Sequence, residues 1–388
     1  MTTVRTLLAV AAARNLPLHQ MDVTNAFLHG DLTEVVYMAP PPGLSAPPGH
    51  VCHLRRALYG LKLAPRAWFE RFRTAVLKAD FIERQTNHAL FTRTSAQGCV
   101  ILLLYVDDMI ITGDDHVTIA SLQEHLRSQF EMKDMGPLRY FLGLEISRSK
   151  RGILVSQQKY ISDILFMAAL TNNRTVDTPI ELNLKLLPTD GEPLSDVSRY
   201  RRLVRMLVYL TVTRSDIAYA VSFVSQFVQA PRSAHYAAVL RILRYLRASV
   251  SRSLFLFATS PLTLRAFSDA DWAGDVMTCR STTGFCIFLG DSLISWRSKK
   301  HESIARSSIE AEYCAMASTT AEIVWLRRLL RDLGVQITGP TPLFCDNRSA
   351  IQIASNPVFH ERTKHIEIDC HFTRQEFLAN TLSTVHCL

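Results

Sequence analysis

The sequence predicts a mixed α/β protein, and three observations carry that prediction. The first third alternates short apolar runs of strand length with segments whose apolar residues recur at three and four spacing. The middle reads as amphipathic helices, in "YRRLVRMLVYLTVTRSDIAYAVSFVSQFVQAP" and "SAHYAAVLRILRYLRAS". The last third returns to strands, then a long helix, then the short strand "PLFCD", an order typical of mixed α/β organisation. A length of 388 residues suits two or three domains with their own cores, and 48% hydrophobic against 20% charged residues excludes a disordered chain.

Taken in order, the N-terminal "MTTVRTLLAVAAARN" imitates a secretory signal, with Arg5 before an apolar run, yet the rest of the chain has no secreted character. "APPPGLSAPPGH", Ala39 to His50, is a Pro/Gly loop. "VILLLYVDDMIITGDD", Val100 to Asp115, carries apolar residues on both sides of Asp107 and Asp108. That pattern predicts a buried β-hairpin with charge at its turn, and buried like charges call for a compensating cation. From Asn183 to Glu192 the chain turns polar and Pro-containing, and the helical module follows. In its second helix Arg241, Arg244 and Arg247 recur every three residues, either as a solvated face or as a cationic face that follows phosphates. Strands are expected at Thr263 to Asp269, Phe285 to Leu289 and Leu293 to Trp296, and a long helix at Ser308 to Leu333. A helix from Ser349 and a last helix through "HIEIDCHFTRQEF" complete the pattern, which contains no repeats.

The 43 Lys and Arg against 35 Asp and Glu leave a formal charge of +8, which suits a polyanionic partner. Eight cysteines without a CxxC pair point to neither a disulfide framework nor a zinc knuckle, and a reducing compartment is expected. No apolar run approaches the ~20 residues of a membrane helix, so no membrane partner is expected.

Two groups of acids stand out. The first joins Asp22, in "HQMDVTNAFLHGD", to Asp107 and Asp108. Three carboxylates on neighbouring strand ends can hold two Mg2+ ions for phosphoryl transfer, whereas each alone is also an ordinary turn or cap residue. The second comprises Asp269 at a strand end, Glu310 and Glu312 at the start of the long helix, Asp346 ending "LFCD", and Glu367 and Asp369 in the last helix. Here too the pattern suits two divalent cations on a phosphodiester, with helix capping as the plain alternative for Glu310, Glu312 and Asp346. Glu310 and Glu312 lie about 200° apart around a helix, so only one faces the site. His360, His365, His371 and Cys370 fit no familiar zinc spacing. Trp68 and Phe69, beside Arg66 and Arg71, read as core residues, with base stacking as the alternative.

Several stretches, in this order, resemble the reverse transcriptase and RNase H region of copia-type LTR retrotransposon Pol polyproteins, plant ones in particular. They are "QMDVTNAFLHGDL", "LYGLKLAPRAWF", "LLLYVDDMIITG", "FEMKDMGPLRYFLGLEI", "RYRRLVRMLVYLTVTRSDIAYAV", "SDADWAGD", "RSTTGFCIFLGDSLISWRSKKHESIARSSIEAEYCA", "LFCDNRSAI" and "RTKHIEIDCHF". The resemblance covers nearly the whole chain. It implies an α+β palm with partial fingers over residues 1–180, a helical thumb or connection over 181–258, and an RNase H-like mixed α/β domain over 259–388. The implied activities are RNA-directed DNA polymerisation and cleavage of RNA in hybrids, with two Mg2+ at each site. RNA template, DNA primer, RNA:DNA hybrid and dNTPs are the implied partners, and a cytoplasmic particle or the nucleus the implied location. Residue by residue, Asp22, Asp107 and Asp108 match the polymerase acids, and Phe27 the steric gate that rejects a ribose 2′-OH. Phe141 to Ile146 resembles the primer-grip hairpin. Asp269, Glu312 and Asp346 match three RNase H acids, with Glu310 in reserve, and Glu367 the fourth, with Asp369 in reserve.

The sequence also departs from the family pattern. It opens at "MTTVR", where the basic fingers segment of the family ends, and Leu63 stands where a polar residue is usual. Arg205 replaces a usual Gly and is expected to clash if its helix packs closely there. After "CHFTRQEF" the pattern is left, so a further strand and helix are expected to be missing. These departures predict a fragment or a decaying copy whose hybrid cleavage outlasts its primer extension, and they keep open a second reading, an inactive remnant that at most binds nucleic acid.

Overall fold

The computed structural model describes residues 1–44, 47, 49–170, 173–355 and 367–387, apart from the side chains of 355 and 367–370. The chain divides into two compact units. The smaller holds residues Asn15–Leu138 with Asp332–Gly334, and the larger holds Met1–Arg14, Arg139–Arg331 and Val335–Leu388.

The smaller unit contains β1 (Leu18–Val23), β2 (Asp31–Met38), β3 (Cys52–Arg56), α2 (Ala64–Leu77), β4 (Ile82–Arg84), β5 (Asn87–Ser95), β6 (Gly98–Tyr105), β7 (Asp108–Gly113), α3 (His116–Gln129) and β8 (Met132–Pro137), following the helix α1 (Thr2–Ala13) of the larger one. Its six-stranded sheet has the order β4-β5-β6-β7-β1-β8, with every pair antiparallel. The central strands β6 and β7 are buried on both faces, which explains why "VILLL" and "MIIT" are continuous apolar runs instead of alternating ones. Met21, Met109, Ile111 and Leu102 of the sheet pack with Trp68 and Phe72 of α2 and Leu122 and Leu126 of α3. Each such buried side chain contributes about 1.5–3 kcal/mol. Asp115 caps α3, its carboxylate accepting from Thr118 N at 2.9 Å. The β6–β7 hairpin expected around Asp107 and Asp108 is present, closed by the pair Tyr105↔Asp108. The Pro/Gly loop after Ala39 joins β2 to β3, which form a separate two-stranded sheet.

The larger unit continues with β9 (Tyr140–Phe141), β10 (Leu144–Ser149), β11 (Gly152–Ser156), α4 (Gln158–Ala168), α5 (Val197–Leu210), α6 (Ala218–Ser225), α7 (Ser233–Ala248) and β12 (Leu254–Phe257). It ends with β13 (Leu264–Ala270), β14 (Thr282–Leu289), β15 (Ser292–Lys300), α8 (Ser308–Asp332), β16 (Thr341–Cys345), α9 (Arg348–Ser355), α10 (Glu367–Leu378) and β17 (Leu382–His386). A four-stranded sheet runs β12-β11-β10-β9, and the segment "FLGLEI" forms its β9–β10 hairpin through Leu142 and Gly143, at φ 49° and 71°. Helices α4 to α7, which follow β11 and precede β12 in the chain, share one apolar core. The five-stranded sheet has the order β15-β14-β13-β16-β17, antiparallel on the β15 side and parallel from β13 to β17.

Three expectations need correction. The first helical pattern is broken, because α5 ends at Leu210 and a short 3-10 turn, Ser215–Ile217, precedes α6. The β-branched run Thr211 to Thr213 disfavours helix, and the buried Arg214 guanidinium leaves the helical path to bind Asp216 and the Ser249 carbonyl. Arg205 points outward on α5 and clashes with nothing. A further strand does follow Phe372: β17 pairs in parallel with β16 from Thr341↔Leu382 to Cys345↔His386, satisfying an otherwise open edge.

Among the described residues no helix is long and apolar enough to cross a membrane. The segment that imitates a secretory signal is α1, buried along nearly its whole length against β11, β12 and β15. Its Arg5 is a tie. The guanidinium donates to Ile294 O at 2.9 Å and Val212 O at 2.8 Å and lies 3.8 Å above the Trp296 ring. We expect Arg5→Met to lower the unfolding free energy by about 3 kcal/mol, read by urea denaturation, since a buried and a half-buried carbonyl lose their donor. A loss below ~0.5 kcal/mol would show that water replaces the guanidinium there.

Candidate active sites

The first site is built by strand register. β1 and β7 pair so that Asp22 stands directly opposite Asp108, and Val23 N donates to Asp107 O at 2.9 Å. Opposed residues of an antiparallel pair have Cβ atoms about 4.5–5.5 Å apart, so the two carboxylates share one face, with Asp107 in the adjoining turn. Burial raises the Asp108 carboxyl above its ordinary range, and the charges of Asp22 and Asp107 add to the shift. Against them, Gln20 Nε2 donates to Asp108 Oδ1 at 3.1 Å. Gln20 precedes Asp22 by two residues and shares its face of β1. Phe27 lies in the 3-10 turn Ala26–His29, half-buried, its ring 4.7 Å from that of Tyr59.

The turn that carries Asp107 is strained. Val106 has φ 57°, a conformation that β-branched residues rarely adopt. The indole of Trp68, 1% exposed, donates to Val106 O at 2.6 Å and pins the turn from the core side. Trp68 is therefore a core residue, as expected, with one polar task the sequence did not show.

The second site lies in the five-stranded sheet. β13 and β16 pair as Ala266↔Leu343 and Phe267↔Phe344, and the same register carried forward sets Asp269 beside Asp346. Two residues earlier, Phe267 and Phe344 stack at 4.7 Å and 15°, a flat apolar base under the acids. The third acid arrives on α8, which packs through Ala311 and Ala315 against Ala270 and Ala305. Alanines allow a close approach, and Glu312 Oε1 accepts from Ala270 N at 3.1 Å. Glu310 instead accepts from Arg306 N at 2.7 Å and caps the first turn. Ligand atoms of Glu312, Cys345 and Asp346 all lie within 4.8 Å of one another. Burial, then the charges of Asp269 and Asp346, pushes Glu312 up to about 7. Burial likewise raises Asp269, with Asp346 next in weight. Burial pushes the Cys345 thiol up to about 11, so it stays protonated beside Glu312.

Comparisons with known proteins bear on the whole chain. The family model described as "Reverse transcriptase (RNA-dependent DNA polymerase)" matches residues 1–182. The Pol polyprotein of transposon RE1 from Arabidopsis thaliana is 43% identical over 387 residues, 99% of this chain and 26% of that polyprotein. That of transposon TNT 1-94 from Nicotiana tabacum is 40% identical over 97% of this chain and 29% of its own length. A putative transposon Ty5-1 protein from Saccharomyces cerevisiae is 32% identical over 78% of this chain and 100% of its own length. This chain belongs to the Pol polyproteins of copia-type retrotransposons. It spans about a quarter of the length of the plant Pol polyproteins it matches.

Within this Pol chain, Arg241, Arg244 and Arg247 are half-buried on α7, and Arg241 spends its terminal nitrogens on Glu181 at 3.1 Å and Thr178 at 2.9 Å. Glu367 opens α10, but its side chain lies outside the described residues, as do those of Asp369 and Cys370 and the whole of His360 and His365. Sequence reasoning missed Gln20 and Cys345, although period two from Asp22 and adjacency to Asp346 were signals for them. It also missed an aromatic groove of about 790 Å3 beside Asp269 and Asp346, lined by Tyr219, Phe267, Phe285, Trp296 and Phe344.

The Glu312 carboxyl, titrating near 7 when folded against an ordinary 4.5, sets a pH dependence. Between those values the folded state keeps a proton that the unfolded state releases, so stability falls as pH rises through the window. In EDTA we expect Glu312→Gln to match the parent near pH 4.5 and to exceed it at pH 8 by on the order of 2 kcal/mol in urea denaturation. A difference independent of pH would place the titration elsewhere.

Proposed function

We propose that the chain is the catalytic core of an RNA-directed DNA polymerase joined to a ribonuclease H. The observation that carries the reading is the pairing of Asp22 with Asp108 across β1 and β7, with Asp107 in the turn beside them. Like charges held this close by rigid strands are tolerated when a cation compensates them, and an all-oxygen donor set suits a hard divalent ion such as Mg2+. Asp22, Asp107 and Asp108 would hold such ions at the polymerase site, and Asp269, Glu312, Asp346 and Glu367 at the nuclease site. Bound there, the metal supplies charge neutralisation and a more acidic attacking hydroxyl or water.

The remaining work belongs to the chain's own groups. Trp68 and Gln20 fix the polymerase acids in place. Phe27, backed by Tyr59, would occupy the space of a ribose 2′-OH and favour dNTPs. In the nuclease part the Ala270 N–H orients Glu312, and the aromatic groove beside Asp269 and Asp346 offers a surface for the hybrid. We assign the palm and partial fingers to 1–180, the thumb or connection to 181–258 and the ribonuclease H part to 259–388, with the α7 arginines following phosphates, for which Arg241 would exchange its bonds to Glu181 and Thr178. Leu63 favours a second reading, an inactive remnant, because this half-buried aliphatic side chain before α2 makes no hydrogen bond to nucleotide or template.

Primer extension and hybrid cleavage by the purified chain distinguish these readings. We expect Asp107→Asn to reduce Mg2+-dependent extension by at least about a hundredfold while sparing hybrid cleavage, and Asp346→Asn to do the reverse. Extension that survives Asp107→Asn would overturn the polymerase assignment. A folded chain without either activity would favour the remnant. Trp68→Phe keeps the aromatic packing but removes the donor to Val106 O, and we expect roughly tenfold slower extension with only about 1 kcal/mol lost in stability. Loss of stability without loss of rate would make Trp68 a packing residue alone.

A further inference from the structure

The hairpin β2–β3 stands outside the six-stranded sheet and turns one face to solvent. Its register sets Tyr37 opposite His53, the two rings 5.3 Å apart and tilted by 45°. Val35 and Arg55 adjoin this pair, where the register of the ribbon shifts. Val35 is 67% and Tyr37 62% exposed, and His53 and Arg55 are exposed too. The other face, with Val36, Met38, Cys52 and Leu54, is half-buried, so the alternation is that of a ribbon with one face turned inward. Among the described residues the Tyr37 hydroxyl has no hydrogen bond and Arg55 no ion pair, and Glu34, the acid nearest Val35 in sequence, accepts from the Thr33 hydroxyl.

We infer that this face binds single-stranded nucleic acid, with a base stacked on Tyr37 and His53 and its phosphate on Arg55. The choice of ligand rests on the function proposed above. Two features favour it over a protein partner. The ribbon is two strands wide, about 5 Å between strands, which fits a single file of bases, whereas a stable protein interface needs ~800 Å2 from each side. The charge is uncompensated and positive beside exposed rings, the combination that holds a single strand with little sequence preference. The strand so held is the unpaired part of a template next to its duplex.

Fluorescence anisotropy with the full chain in EDTA tests this, using a labelled RNA:DNA hybrid that is blunt or carries an RNA overhang of about 8 nucleotides. The parent chain should prefer the overhang. Tyr37→Ala should lose roughly tenfold in affinity for the overhanging hybrid and little for the blunt one, while Tyr37→Phe keeps the preference. Arg55→Gln should flatten the slope of log affinity against log salt by about 0.7, one phosphate contact on a single strand. A Tyr37→Ala chain that keeps its overhang preference, or loses affinity equally for both probes, overturns the inference. The readout is independent of catalysis. A chain that extends no primer but shows the Tyr37-dependent preference fails the polymerase reading alone, and one that extends primers without the preference fails this inference alone.

Discussion

Repulsion between carboxylates forced together at strand ends is the constraint on which much of the fold depends. Asp22 and Asp108 face each other across β1 and β7, and Asp107 adjoins them, so the local charge opposes the geometry at every point. The opposing force is apolar. β6 and β7 are buried on both faces and locked into a six-stranded sheet, and α2 and α3 seal one side with Trp68, Phe72, Leu122 and Leu126. Slippage of β1 by a single residue would exchange buried Met21 for Asp22, so the register that brings the acids together is also the one the core demands.

The second acidic site meets the same constraint with different parts. Asp269 and Asp346 sit at the carboxyl ends of neighbouring parallel strands, where side chains of like register align without a hairpin. The stacked rings of Phe267 and Phe344 hold that alignment from below. Glu312 is delivered by a helix that approaches closely because alanines line its contact with the sheet, and the Ala270 N–H receives its carboxylate. Its high pKa is the electrostatic cost of that approach.

Strain and support are matched around the turn that carries Asp107. Val106 adopts a left-handed conformation that costs of order 1–3 kcal/mol, and it persists because the surrounding contacts over-determine it. Trp68 supplies one such contact from a buried indole, and the β6–β7 ladder supplies the rest. Gln20 offsets part of the charge on Asp108 from the next position on the same face of β1. Arg5 and Arg214 hold the larger unit in a similar manner, each burying a guanidinium that donates to backbone carbonyls.

Local pattern alone determined the hairpin around Asp107 and Asp108, the long helix from Ser308 and the strand before Asp346, because periodicity and flanking residues are short-range signals. The family too was legible in the sequence, since its motifs are contiguous and in order. What pattern left open was decided by tertiary contact. Glu312 and Glu310 are equivalent in sequence, and only the packing of α8 on Ala270 turns one to the strand ends and leaves the other as a cap. The strand Leu382–His386 is too short and too polar to announce itself, and it forms because β16 offers an unpaired edge. Trp68 shows an apolar neighbourhood in sequence, while its hydrogen bond to Val106 spans 38 residues and exists only once α2 has docked on the sheet. Side-chain type and spacing are written along the chain, whereas the partner of a buried polar atom is chosen by contacts between segments far apart in it.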